Sequence, residues 1–175
     1  MKIKPENSEV FYINDSNVML EKKDFEQLYW DALNSKRHRA RYCAHKNKES
    51  VLHEMFEIFM QETYLRPLKQ VQKSYSYHII QGCVDIYLFS EHGEVIGIIS
   101  LGDFQSGKPF YFCAPENVYR TLVTTSEFVL YHEVTTGPFK KEDTLFAPWA
   151  PAENDLSEID DFLSRLKEVK VSNDN

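Results

Sequence analysis

Arg41, Cys43 and His45 stand at alternate positions of RARYCAH (39–45), so on an extended strand their side chains share one face. A guanidinium, a thiol and an imidazole in a row could grip an anion, ligate a metal or form a thiol–imidazole pair. The last of these needs a hydrogen bond between sulfur and ring, which two-residue spacing on a strand does not supply. Packing is therefore the expected role of Cys43. His53 in LHEMFEIF and the His132-Glu133 dipeptide in EFVLYHEV add further donors. Spacing leaves open a metal site built from His45, His53 or His132 with Glu133.

The elements that must position these groups are legible as two periods. Between 22 and 35, Phe25, Leu28, Tyr29, Ala32 and Leu33 recur at helical spacing, which predicts an amphipathic helix in need of a surface. Leu156, Ile159, Phe162, Leu163 and Leu166 predict a second helix that closes the chain. Asp155 and Glu158 form a capping-box pattern at its start, and the final KVSNDN is expected to fray. From about 51 to 136 the helical period gives way to short runs rich in Val, Ile, Phe, Tyr and Thr. VDIYLFSEHGEVIGIISLG is the clearest hairpin, with Gly93 free to take a positive φ. Further strands are predicted at HEMFEIFM, KPFYFCA, YRTLVTT and EFVLYHEV, a pattern that suits a sandwich or barrel. GPFKKEDTLFAPWAPAEND then reads as a long connection pinned across the sheet by Phe139, Phe146 and Trp149.

Composition narrows the function classes. The 175 residues suit one domain, divided here into an arm with the first strand (1–50), a β-barrel (51–136) and a connection with the closing helix (137–175). Acidic residues outnumber basic ones 27 to 20, for a net charge of -7, which argues against nucleic acid as a partner. The basic run KRHRAR (36–41) follows a predicted helix and reads as its solvated end. Three widely spaced cysteines, with no CxxC pair, suit a reducing compartment. The N-terminal MKIKPENSEVFYI lacks the apolar core of a signal peptide, and runs such as VIGIISL are too short to span a bilayer. The expectation is a cytoplasmic protein with no membrane insertion. The 10 Tyr, 12 Phe and 2 Trp exceed what the core must bury, so some rings should line a cavity or an interface.

Three segments carry a resemblance: RARYCAH followed by LHEMFEIF, the stretch from RP at 66–67 to QG at 81–82, and EVTTGPFKKEDTLFAPWAP at 133–151. Together they resemble the WbuC-type cupins, bacterial proteins associated with surface-polysaccharide (O-antigen) gene clusters. The resemblance implies an all-β core of jelly-roll type, the cupin double-stranded β-helix, with flanking N- and C-terminal α-helices. It also implies a homodimer. In the family pattern a His-x-His pair, a Glu and a further His hold a divalent transition metal. The matching positions here are Leu68, Gln70, Tyr75 and Arg120. Leucine has no donor, glutamine is a weak one, and arginine brings a fixed positive charge, so no metal is expected there. If Tyr75 points inward, Tyr77 and Ile79 share its face and His78 faces outward.

A guanidinium in such a pocket demands a partner. Glu133 could pair with Arg120 or Arg41 as an internal staple. Alternatively, Arg120 grips an anionic, sugar-derived ligand with Gln70 and Tyr75 supplying hydrogen bonds and Arg41 and His45 approaching from the neighbouring strand. The leading expectation is a metal-free, non-catalytic WbuC-like protein of surface-polysaccharide biosynthesis, binding such a ligand or a partner enzyme. One alternative is a metal-independent isomerase or epimerase of a nucleotide sugar with His45 as base and Tyr75 as acid. Another is a purely structural protein with a filled barrel.

Overall fold

The computed structural model describes residues 1–169; the closing KVSNDN lies outside them. Ten strands and two helices follow in chain order: β1 (Ile3–Pro5), β2 (Val10–Ile13), α1 (Lys22–Asn34), β3 (Arg39–Cys43), β4 (Leu52–Met60), β5 (Leu68–Gln70), β6 (Tyr75–Phe89), β7 (Val95–Gly102), β8 (Tyr111–Ala114), β9 (Tyr119–Thr136), β10 (Thr144–Phe146) and α2 (Leu156–Glu168). Two long strands, β6 and β9, run antiparallel and fold over together, so each belongs to both halves of a barrel. In the first half the order is β1-β2-β3-β4, then the end of β9, the start of β6 and β8. In the second half β10 and β5 flank the start of β9, which pairs with the end of β6 and then β7. All pairings are antiparallel except β2 with β3. This is a cupin-like, mostly β fold with one helix near each end.

The fold-over has a local cause. The β6–β9 register slips between Ile79 and Gln81 and again between Gly82 and Val84. Gly82 sits at φ +86, where a Cβ would lie 2.2 Å from the Phe128 carbonyl oxygen. Opposite it the Ser126 hydroxyl accepts the Cys83 amide at 2.9 Å and donates to the Phe128 carbonyl at 2.6 Å. Sequence periodicity predicts two strands here, YRTLVTT and EFVLYHEV. They are one strand, because the single residue between them, Ser126, stays within the sheet and bonds across to Cys83.

Each helix covers the outside of one half. Leu28 and Ala32 of α1 are fully buried against Ala40, Tyr42, Ile58 and Leu130. Ile159, Phe162 and Leu166 of α2 pack on Tyr64, Tyr87, Phe89 and Tyr119. The Asp155 carboxylate caps α2 by accepting the Glu158 amide at 3.3 Å. Trp149 does pin the connection: its indole N–H donates to the Glu91 carbonyl at 3.1 Å, and its ring lies against Gly93. Phe139 and Phe146 do not. Both are about half exposed at the edge of a cavity, and the segment around Phe146 becomes strand β10, which the proline-bearing sequence does not suggest. Among the described residues, no helix is long and apolar enough to cross a membrane.

Candidate functional site

Strand alternation sets what faces inward. β3 presents Arg39 and Arg41, β4 presents Glu57 and Phe59, and β9 presents Tyr131 and Glu133. The register aligns them: Arg41 lies opposite Glu57, Glu57 opposite Tyr131, and Glu133 opposite Tyr77 of β6. From the second half come Arg120 on β9 and its register partner Leu68 on β5, with Gln70 beyond. These side chains enclose a cavity of about 520 Å³ between the halves, so the filled-barrel alternative is set aside. A second lobe of about 250 Å³ adjoins it, walled by His45, His53, Lys48 and Lys73. Arg41, Gln70 and Glu133 line both lobes.

Arg120 is only 4% exposed. Its Nε donates to the Tyr77 hydroxyl at 2.9 Å, and its guanidinium carbon lies 3.5 Å from the centre of the Tyr75 ring. Its Nη1 has no hydrogen-bond partner among the described residues. The internal staple predicted between Glu133 and Arg120 or Arg41 does not form. Arg120 is held by two tyrosines, while Arg41 turns to Glu57 at 3.7 Å. Arg39 Nη1, Arg41 Nε and Gln70 Oε1 are likewise buried without a partner. Burying a donor unpaired costs on the order of 1–3 kcal/mol, and more for a charged group. Glu133, facing both lobes, makes no hydrogen bond or ion pair among the described residues.

The expected site residues therefore separate. Arg41, Gln70, Arg120 and Glu133 converge on the main lobe, and His45 lines the second. Tyr75 lines neither. It is buried one layer down, because Arg120 lies across its ring. His78 is exposed on the outer face, as alternation requires. Glu57, Arg39, Tyr77 and Tyr131 complete the wall. At the mouth Glu153, from the connection before α2, reaches Arg37 at 3.2 Å and Arg39 at 3.1 Å, while Glu9 also pairs with Arg37.

Burial, then the neighbouring Glu57 charge, raises the Glu133 carboxyl from 4.5 to about 7 against the pull of Arg120 and Arg41. Burial lowers His45 to about 4 and raises Tyr75 to about 12. His45 Nδ1 also lies 3.1 Å from the Glu54 carbonyl, and its ring stacks on His53 at 4.0 Å. Both shifts run away from neutrality and Tyr75 lines neither lobe, which weighs against a His45–Tyr75 acid–base pair. Burial raises the Cys43 thiol to about 11, which leaves it a protonated thiol.

The divalent metal that the cupin resemblance implies does not fit this donor set. Where a cation would sit there is a guanidinium over a tyrosine ring, beside a leucine. Among the described residues, no three His, Cys, Asp or Glu side chains are grouped to hold a metal ion.

Solved structures share the architecture. Protein SO0799 from Shewanella oneidensis superposes with a TM-score of 0.54 at 13% identity, over 73% of this chain and 85% of that one. CapF, solved with the inhibitor 3-isopropenyl-tropolone, gives 0.52 at 11% identity over 65% of this chain and 32% of its own. The cupin domain of Schizosaccharomyces pombe Cnp3 gives 0.44 at 13% identity, covering 58% and 66% of the two chains. At such identities the first two likenesses concern the fold alone. A family model described as "Domain of unknown function (DUF6016)" matches residues 20–101. No curated protein matches the chain by sequence.

Proposed function

We propose that this protein is a WbuC-like cupin that works without a metal and binds a sugar-derived anion, a carboxylate or phosphate, inside its barrel. The observation that carries the reading is Arg120: almost wholly buried, stacked on Tyr75, with one guanidinium nitrogen unpartnered beside an open cavity. A structural arginine at that depth would be expected to have a carboxylate partner, and Glu133 is on hand yet does not serve. An anionic ligand would satisfy Arg120, with Arg39 and Arg41 alongside and Gln70 offering its carbonyl oxygen to a hydroxyl. A volume of about 520 Å³ is adequate for a phosphorylated hexose. In the same reading the protein is a cytoplasmic homodimer serving bacterial surface-polysaccharide biosynthesis, alone or with a partner enzyme. The WbuC resemblance is the support for that setting.

Titration calorimetry with glucose 6-phosphate, glucuronate and uncharged glucose tests the reading. The two anions are expected to bind, the neutral sugar not. Arg120→Met should weaken the anions by about 2 kcal/mol, roughly thirtyfold. Equal affinity for glucose, or an unchanged affinity in the variant, would return Arg120 to a packing role.

A further inference from the structure

Two carboxylates face the cavity from neighbouring strands. Glu57 lies opposite Tyr131, and Glu133 is two residues further along the same face of β9, so the pair are diagonal neighbours. Their surroundings differ. Glu57 is held, accepting from the Tyr131 hydroxyl at 3.2 Å and paired with Arg41 at 3.7 Å. Glu133 has no such partner among the described residues and stands where the two lobes meet. One carboxylate is thus held by a hydroxyl and a guanidinium, and the other is left free to meet whatever fills the cavity.

We propose that Glu133 is the acid–base residue of an isomerase activity on α-hydroxy carbonyl sugars that carry an anionic group. Its carboxylate takes the proton from the carbon beside the carbonyl. The C–H electron pair becomes the carbon–carbon double bond of an enediolate, and the charge moves to the carbonyl oxygen, which Arg41 stabilises. The hydroxyl proton passes to that oxygen, and Glu133 returns its own proton to the former carbonyl carbon. Aldose becomes ketose with atoms and electrons conserved, so no oxidant, reductant or cofactor is needed. Arg120 holds the anionic group. The raised pKa of Glu133, about 7, keeps both of its forms populated at neutral pH, as a group that must accept and return one proton requires. The inference rests on the anion-binding reading above and replaces the non-catalytic expectation.

The experiment is solvent deuterium wash-in. The protein is incubated in D₂O with glucose 6-phosphate, fructose 6-phosphate or ribose 5-phosphate, and deuterium at the carbon beside the carbonyl is read by mass spectrometry, with binding measured in parallel. The expected result is incorporation above the protein-free rate, rising with pH through about 7 and then levelling. Glu133→Gln should bind the same sugar yet exchange at least ~100-fold more slowly. Sugar that binds the wild type without exchange overturns the acid–base role and leaves the binding reading standing. Exchange undiminished in Glu133→Gln also overturns it. Failure of every probe to bind overturns both.

Discussion

The two ends of the barrel interior are lined by the same long strands and differ in almost everything else. At one end Val84, Ile86, Leu101 and Val129 are wholly buried and close the space between the halves. At the other end Arg39, Arg41, Glu57, Arg120 and Glu133 surround an opening, and several of their polar atoms lack partners. Tyrosines 77 and 131, with Phe59, form the layer between them. The closed end is what strand alternation and apolar burial produce when nothing but stability is at stake. The open end keeps charges that weigh against folding. On the proposed reading it marks where this fold gives up stability for recognition.

That contrast can be broken by substitution at each end. Leu101→Ala, at the closed end, should show the largest effect: a loss of about 2–5 kcal/mol in denaturant unfolding, with anion affinity of the folded protein unchanged. A loss below 1 kcal/mol would mean that the closed end is not the stabilising one. Glu133→Gln should act in the opposite direction and only at higher pH. The folded carboxyl is raised from 4.5 to about 7, so the folded protein holds a proton that the unfolded chain releases between those values. The stability cost is thus absent below about pH 4.5, grows up to pH 7 and stays constant above. The variant is expected to match the wild type at pH 4.5 and exceed it by up to about 3 kcal/mol at pH 8. An equal offset at both pH values would remove the titration of Glu133 as its cause. Smallest of all, Arg120→Met should leave thermal stability unchanged or raise it by about 1 kcal/mol, since among the described residues the guanidinium has no carboxylate partner to lose, only the Tyr77 hydroxyl. A loss of 3 kcal/mol would place Arg120 among the structural residues of the closed end.

Much of this division is legible in the chain. The hairpin around Gly93, both helices and the Asp155 cap follow from period and turn chemistry, because each spans enough residues to show its repeat. Strands β1, β2, β5 and β10, of three or four residues each, are too short to show one. In the site, Arg41 lines the cavity, and alternation carried one step back along RARYC reaches Arg39, which lines it too. Applied to LHEMFEIFM it puts Glu57 between Met55 and Phe59, an acid on an otherwise apolar face, and that was the available signal. Whether Arg120 meets Glu133 could not be read from the chain. It depends on how sharply β9 turns between them and on the two tyrosines that intercept the guanidinium.

Arg120 and Glu133 lie on a single strand, on either side of the fold-over at Gly82 and Ser126. On the proposed reading, the curvature of one backbone segment therefore fixes how far apart a molecule's charged tail and its reactive carbon must be to reach both. Remodelling the segment near Ser126 would then shift selectivity toward longer or shorter molecules while leaving Arg120 and Glu133 as they are.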